Sequence, residues 1–505
     1  MRQVIIKRSR YVDSVTLMGI SEKVKKAEGV KKAELGMGTP VNIEFLESNG
    51  FNIPKDTTPS DLMIAIQAEE TFLDKAIDLT EELLNKGLDS AKTFVDLDDE
   101  EITSDQYDIV QISLPGEYAF EEGMKALKKG LHVFMFSDNV PIEQEKIMKE
   151  YAVKHNLLCM GPDCGVALIG GLSLGAGSII SPGRVGIVGA SGSGAQEVGC
   201  LIEAFGDGVS SLIGTGGRDL TPQIGGLMMK KGIQLLDKDE NTKVIVLVSK
   251  LADLTIMENV LEEADKSKKP TVAIFLGSDI SSFKKHKTII TSSLEDAAVE
   301  AVKFLGIKPS TTRLSEEELK DIAAKEVAKY NSKQKYIRGL YCGGTFVEEG
   351  LIYYKKVIPS IIINSNLSTK YTTKLKYKNH SFKHTILDMG AEDFTASAPH
   401  PVFEPNLRLR RLEKELADSS VALITLDFIT GPGVHEDPVT PFIELIDKYK
   451  KSSDKHITFI ANICGSKLDP QNVEKLKKEL KNAGVFVTFS NFETSRLAAQ
   501  ILKLL

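Results

Sequence analysis

Apolar positions recur along this chain with two periods, and the order in which the periods alternate sets out its architecture. Residues 3–8 (QVIIKR) form a short apolar run bounded by charge and predict a strand. Residues 11–27 place apolar side chains three and four apart, which predicts an amphipathic helix. A strand at 30–37, a strand at 62–68 (LMIAIQA) and a helix over 72–87 closing on Gly87 complete a small α+β domain, residues 1–95. An acidic stretch follows (DLDDEEITSDQ). From residue 108 the pattern becomes regular. DIVQISLPG, HVFMFS and LLCMGP read as strands, separated by the helical segments AFEEGMKALKKG and PIEQEKIMKEYAVKHN. Apolar strands alternating with helices mean βαβ units, so parallel sheets covered on both faces.

A second run of this kind starts at RVGIVG and continues through SSLIGTG, KVIVLVS and TVAIFLG to a helix at LEDAAVEAVKFLG. A third begins at YIRGLYCGG and includes KHTILDMG, VALITLDFI, HITFIANI and GVFVTFS. The predicted organisation is the small domain, α/β units over 96–182, 183–309 and 336–505, and a charged helical linker at 310–335.

Composition narrows the classes of function. The chain has 505 residues, 63 Lys and Arg against 70 Asp and Glu, and a net charge of −7. That balance offers no field for a polyanion, so no nucleic acid is expected as a partner. No apolar run reaches the length of a membrane span, and none follows the charged opening MRQVIIKRSR, so the expectation is a cytoplasmic protein without membrane contact. Five scattered cysteines supply neither a disulfide framework nor a four-Cys zinc site.

The 40 glycines are dense between about 161 and 232. Most of them fit turn punctuation, but two clusters follow a strand and open a helix. Gly189-Ala190-Ser191-Gly192-Ser193-Gly194 ends RVGIVG and leads into AQEVGCLIEAFG. Such a turn leaves backbone N–H groups and the positive helix end free for an anion. Ala195-Gln196 stands where a P-loop has Lys and Ser or Thr, which excludes nucleotide hydrolysis of that type, and Ser193 breaks a G-x-S-x-G elbow. Cys342-Gly343-Gly344-Thr345 repeats the device between IRGLY and FVEEGLIYY. GTGGRDLTP adds Arg218 near a third strand end, where an anion contact or a salt bridge would serve equally. His384, His400 and His435 lie among carboxylates in the third unit, but none has the spacing of a metal site, and no metal is expected. His400, between two prolines, reads as a functional residue or a loop anchor.

With these residues in view, the stretch from DIVQISLPG through GPDCGVALIGG, SPGRVGIVGASGSG and SLIGTGGRDL resembles the α-subunit of succinyl-CoA synthetase and related NDP-forming acyl-CoA synthetases. YCGGTFVEEGL with TILDMGAEDFT resembles the carboxy-terminal domain of the β-subunit. The whole chain, with YVDSVTLMGIS, PHPVFEP and LDFITGPGVHEDP, resembles the FdrA family. The resemblance implies an α/β fold of Rossmann-like and flavodoxin-like parallel-sheet units behind a small α+β domain. Residues 96–182 would be a truncated CoA-binding-like Rossmann domain, and 183–309 and 336–505 two ligase-like flavodoxin-like domains.

In the synthetases two helix starts face each other and hold the phosphate of a phosphohistidine. By resemblance they begin here at Ser191, Gly192, Ser193 and Gly194 and at Gly343, Gly344 and Thr345, facing one cleft. The G-H-A-G motif expected after TVAIFLG is absent; His286 stands there between two lysines. The glycine-rich loop of a CoA-binding unit and an ATP-grasp domain are also missing. What remains implies a component of a multi-subunit oxamate carbamoyltransferase of allantoin degradation, which interconverts oxalurate plus phosphate with oxamate plus carbamoyl phosphate. Its ligand would be carbamoyl phosphate or another acyl phosphate, its partners other transferase subunits, and no cofactor would be required. His400, Arg218 and Asp388 are the residues nominated for catalysis. The alternatives are an acyl-CoA synthetase, which would use CoA and a nucleotide, and a non-catalytic CoA- or phosphate-binding regulatory subunit.

Overall fold

A computed structural model describes the chain except residues 11, 13, 91–96, 99–101, 251, 279–282, 310–312 and 396–397. It divides into two compact units, residues 1–99 with 394–399 and residues 100–393 with 400–505.

In the first unit β1 (Arg2–Lys7), β2 (Val30–Met37) and β3 (Leu62–Ala68) form an antiparallel sheet in the order β1-β3-β2. β3 is apolar from Leu62 to Ile66 because both its faces are covered. Leu62, Ile64 and Ile66 pack with Leu17, Val24 and Leu35 on one side, and Met63 and Ala65 with Leu46, Phe51 and Ile53 on the other. The helix Pro40–Ser48 was not expected from the apolar pattern. Its signal was local: Thr39 caps Asn42 N at 3.3 Å, and Pro40 stands in the first turn, where a missing N–H costs nothing.

The second unit opens with β4 (Ile109–Ile112), β5 (His132–Met135) and β6 (Cys159–Met160), a three-stranded parallel sheet in chain order. Next come β7 (Val166–Ile169), β8 (Leu172–Gly175), β9 (Pro182–Gly189), β10 (Val209–Gly214), β11 (Val244–Ser249), β12 (Thr271–Phe275) and β13 (Ile289–Ile290), ordered 13-12-11-9-10-7-8. β9 to β13 are parallel, whereas β7 and β8 form an antiparallel edge hairpin. This corrects the boundary expected at residue 182: β7 pairs with β10, so the sheets change between Met160 and Val166.

The last sheet is parallel throughout. It holds β14 (Tyr336–Tyr341), β15 (Ile363–Ser365), β16 (Thr372–Lys374), β17 (His384–Asp388), β18 (Val421–Ile429), β19 (Thr458–Cys464) and β20 (Phe486–Val487), ordered 16-15-17-14-18-19-20. One hydrophobic cluster runs from Val166 to Leu502 and joins the two large sheets. The segment expected as a linker is part of this body. Its helix Glu316–Val327, opened by a Ser315/Glu318 capping box, buries Leu319 and Ala323, and Glu316 pairs with Arg496 at 2.5 Å. Residues 310–312 lie outside the described residues.

In both large sheets the first long parallel strand lies centrally. β9 sits between β10 and β11, and β14 between β17 and β18. The chain leaves each of these strands to one side and later returns to the other. The strand's carboxyl end is therefore a topological switch point, where open α/β sheets place their ligands.

Candidate functional site: two helix starts that meet

Each switch point carries one glycine cluster. After β9, Ser191 adopts the extended conformation of an N-cap, and its Oγ accepts a hydrogen bond from Gly194 N at 3.3 Å at the start of the helix Gly192–Ala204. After β14, Gly343 caps the helix Gly344–Val357 without a side chain of its own. Asp427 of β18 does this work instead, accepting the N–H groups of Cys342 and Gly343, each at 2.8 Å. Asp427 is fully buried, and its charge is balanced by Arg408, whose Nη2 lies 3.1 Å away.

The two starts touch. Ser191 Oγ and Thr345 Oγ1 are 2.6 Å apart, both buried, and Thr345 Cγ2 lies 2.9 Å from where a Cβ on Gly194 would stand. The amides of Gly192, Ser193, Gly344 and Thr345 are the orphan donors that any helix start leaves, and they find no acceptor among the described residues. Gly192 is exposed, and Ser193 and Gly344 are half-buried.

Charged groups from two further strand ends reach the same place. Lys250 follows β11 directly, and its Nζ lies 3.1 Å from the point where a Cβ on Gly344 would stand. Asp388 ends β17, and its Oδ2 fills that same space, while its Oδ1 accepts Gly390 N at 3.0 Å. Burial pushes the Asp388 carboxyl up to about 6, against the pull of Lys250. Burial also raises Glu348, one turn into the second helix, and Asp163, in the loop after β6; Lys250 opposes both shifts. Four free N–H donors, an ammonium group and a carboxyl able to hold a proton near neutrality can bind a compact anion and exchange a proton with it.

The other nominated residues are placed differently. Burial drives His400 down to about 4, so it is neutral; its Nδ1 accepts Val402 N at 3.2 Å, and its ring fills the space beside Gly390. His400 thus supports the loop that carries Asp388. The role expected for Arg218 needs correction. Its guanidinium forms an ion pair with Glu145 at 2.7 Å, donates to the Val140 carbonyl at 2.8 Å and makes no hydrogen bond to either helix start. Glu145 belongs to a buried ion cluster with Lys149 and Asp219, so Arg218 serves packing between the first two sheets. His384 lies at the amino end of β17, away from the switch point, and His435 Nδ1 accepts Asp437 N. His286 is buried, with Nδ1 2.8 Å from Asp265 and Nε2 3.3 Å from Glu258. Among the described residues no group of His, Cys, Asp and Glu is placed to hold a metal, and no helix is long and apolar enough to cross a membrane.

Lys250 and Glu348 carried no candidate role in the sequence, and Asp427 stood there only as one of the carboxylates near the histidines of the third unit. Lys250 did carry a signal, as the first charged residue after the buried strand VIVLVS.

Family comparisons agree with this architecture. Residues 1–99 match the model of the AllF heavy metal-associated domain, 180–277 a CoA-binding domain and 340–501 a CoA-ligase domain. The chain is an α/β protein with parallel sheets like those of succinyl-CoA synthetase domains, preceded by a small α+β unit. It is 36% identical to the YahF protein of Escherichia coli (strain K12) over 99% of this chain and 98% of that one. The chain belongs to the YahF-like, FdrA-type family. The α-subunit of the ADP-forming succinate–CoA ligase of Aquifex aeolicus is 28% identical over 33% of this chain and 55% of its own length. A dinucleotide-forming acetyl-coenzyme A synthetase of Ca. Korarchaeum cryptofilum, solved with phosphate and ADP, is 14% identical over 80% of this chain and 83% of that chain, with a TM-score of 0.29.

Two groups implied by these names can be tested against the residues. Residues 1–99 contain neither Cys nor His, so that unit offers a heavy-metal ion no thiolate and no imidazole, only methionine thioethers, of which Met37 and Met63 are buried in the core. CoA needs an open groove beside the glycine loop for its nucleotide. Here Thr345 Cγ2 and Val248 Cγ1 lie 2.9 and 3.2 Å from where a Cβ on Gly194 would stand, so the first helix start is closely packed at that glycine, while Gly192 beside it is exposed.

Proposed function

We propose that the chain is the phosphate-handling component of a carbamoyltransferase that interconverts oxalurate plus phosphate with oxamate plus carbamoyl phosphate, working with further subunits. The observation that carries this reading is the meeting of two helix starts at Ser191 and Thr345 while His286 is hydrogen-bonded through Nδ1 to Asp265. A phosphate site with no free imidazole beside it suits a ligand that brings or accepts its own phosphoryl group. In the phosphorolytic direction a phosphate oxygen attacks the ureido carbonyl of oxalurate, the C–N bond breaks, and the departing oxamate nitrogen takes a proton. Asp388, raised to about 6, is the proton donor, and the proton that the attacking hydrogen phosphate gives up restores it, so each turnover balances. The orphan amides hold the phosphoryl oxygens as charge builds on them. The AllF-type match of residues 1–99 supports an assignment to allantoin breakdown.

The test is to combine the chain with the products of its neighbouring genes, carbamoyl phosphate and oxamate, and to measure oxalurate. Formation of oxalurate that is lost in Asp388→Ala supports the reading; no oxalurate from any combination rejects it. The CoA-binding and CoA-ligase matches favour a second reading, an NDP-forming acyl-CoA synthetase. It requires acid-labile phosphate on His286 after incubation with labelled ATP and a nucleotide-binding partner. The hydrogen bond to Asp265 that holds the buried His286 side chain opposes it.

A further inference from the structure

Two positive helix ends would suffice for weak anion binding anywhere, and both of these could simply be solvated. Two further features of this junction point to a ligand. Asp388 is 6% exposed, and its Oδ2 is aimed at the start of the second helix with no partner among the described residues. Lys250 makes no hydrogen bond and no ion pair among the described residues, although its Nζ stands 3.1 Å from the same point over Gly344. Lys250 is half-buried, and carboxyl groups surround it at longer range: Asp388, Glu348 and Asp163 all respond to its charge. Glu348 Oε2 is also buried without a partner. A group that neutralises Lys250 and accepts the four orphan amides would complete the set.

We infer that Lys250 is the cation of the anion site shared by the two helix starts, and that its ligand is a compact tetrahedral oxyanion, either free phosphate or the phosphoryl end of an acyl phosphate. This rests on the reading above only in naming phosphate. The oxyanion lies against Gly192–Ser193 and Gly344–Thr345, with Lys250 supplying the charge that Arg218, held by Glu145, does not. Asp388 opposes binding while it is ionised and ceases to do so once protonated. The site therefore takes up anion and proton together, which is the state that a proton-donating carboxyl beside a phosphate requires.

The test is made on the full chain alone, by calorimetric titration with inorganic phosphate and, separately, with sulfate, at constant ionic strength. Lys250→Met keeps the bulk of the side chain and removes its charge, and it should weaken phosphate and sulfate binding by at least about tenfold. Lys250→Arg should retain binding. Asp388→Asn should tighten it, because a like charge is removed; Lys284→Met, on an exposed lysine, should leave it unchanged. Comparing phosphate with carbamoyl phosphate distinguishes the free anion from the acyl phosphate as the preferred source. Circular dichroism confirms that each variant is folded. Wild-type affinity in Lys250→Met, weaker binding in Asp388→Asn, or no binding by the wild-type chain overturns the inference. These outcomes are separate from the carbamoyltransferase reading. Lys250-dependent binding without oxalurate formation leaves the site standing and rejects the reaction, while oxalurate formation with wild-type affinity in Lys250→Met does the reverse.

Discussion

The helix starts at Gly192 and Gly344 use one backbone device in opposite electrostatic settings. The first is capped by a neutral hydroxyl, that of Ser191, and its leading glycine has room for a side chain: a Cβ there would lie 3.6 Å from Val166 Cγ1. The second is capped by a buried carboxylate, Asp427, and crowded by another carboxyl, Asp388. A helix start already faced by negative charge has spent part of its dipole on the protein's own side chains. On the inferred anion site, the first start attracts the anion and the second sets how strongly, through the charge state of Asp388. Equal glycine motifs thus perform unequal tasks, and what separates them comes from neighbouring strands.

The largest expected effect breaks the second start. Asp427→Ala removes the acceptor for two amides and leaves Arg408 buried without its counter-charge. Breaking a buried pair from one side costs about 3–5 kcal/mol. Equilibrium denaturation should show a loss of that size; a loss below about 1 kcal/mol would mean that the carboxylate does not carry this helix start. Next in size is Gly192→Asp at the first start. Gly194→Asp would be a poorer choice, because a Cβ there meets Ser191 Oγ at 2.7 Å and Thr345 Cγ2 at 2.9 Å. At residue 192 the side chain has room. A carboxylate about 4 Å from the bound anion repels it by about 4 kcal/mol at an effective dielectric near 20. Oxalurate formation should fall at least about a hundredfold, some 2.7 kcal/mol in barrier, while Gly192→Ala stays near wild type. Equal rates in the aspartate and alanine variants would show that no anion lies over this helix start.

Both glycine clusters were legible in the sequence because their signal is local: an apolar strand, glycines, then a helical period. Their meeting followed only from the family resemblance. The hairpin of β7 and β8 was also legible and was passed over. Gly170-Gly171, both at positive φ, is a two-residue turn between VALI and LSLG, and only glycine takes up such a turn without strain. Lys250 and Asp427 were hidden for a different reason. Each is one polar residue within or beyond an apolar strand, and its meaning depends on β11 lying beside β9 and β18 beside β14. Strand order is long-range information that apolar periodicity does not contain. Arg218 misled because an arginine in a glycine-rich loop suits an anion and a salt bridge equally, and only the buried Glu145 decides between them.

Deeper in the same two helices the settings converge. Glu197 of the first and Glu349 of the second are both buried, and burial pushes their carboxyls up to about 7 and about 8. Asn491 joins them: its backbone N–H donates to Glu197 at 3.0 Å and its Nδ2 to Glu349 at 2.8 Å. A carboxyl whose folded value exceeds its ordinary 4.5 binds more protons in the folded state than in the unfolded one. Its contribution is then fully present below about 4.5 and is lost as pH rises through about 8. Between about pH 6 and 8 stability should fall with rising pH, and Glu349→Gln should flatten that slope by up to about 1.4 kcal/mol per pH unit. Denaturation midpoints across that range measure it. An unchanged slope would place the proton elsewhere.

The smallest expected effect tests the contact itself. Ser191→Ala deletes the cap on Gly194 and the hydroxyl contact with Thr345, and should cost about 1 kcal/mol. Thr345→Val keeps the shape and deletes only the contact between the two starts, which should cost about 0.5–1.5 kcal/mol. The two losses share one hydrogen bond, so they cannot add. The double variant should be less destabilised than the sum of the singles, with a coupling energy of about 0.5–1.5 kcal/mol measured by a denaturation cycle. Residues without a shared partner would give additive losses within about 0.3–0.5 kcal/mol. A coupling within that limit would separate the two helix starts in solution and remove the common site on which the anion reading depends. A clear coupling that shrinks when saturating phosphate is present would instead show that the anion competes for the same two hydroxyls.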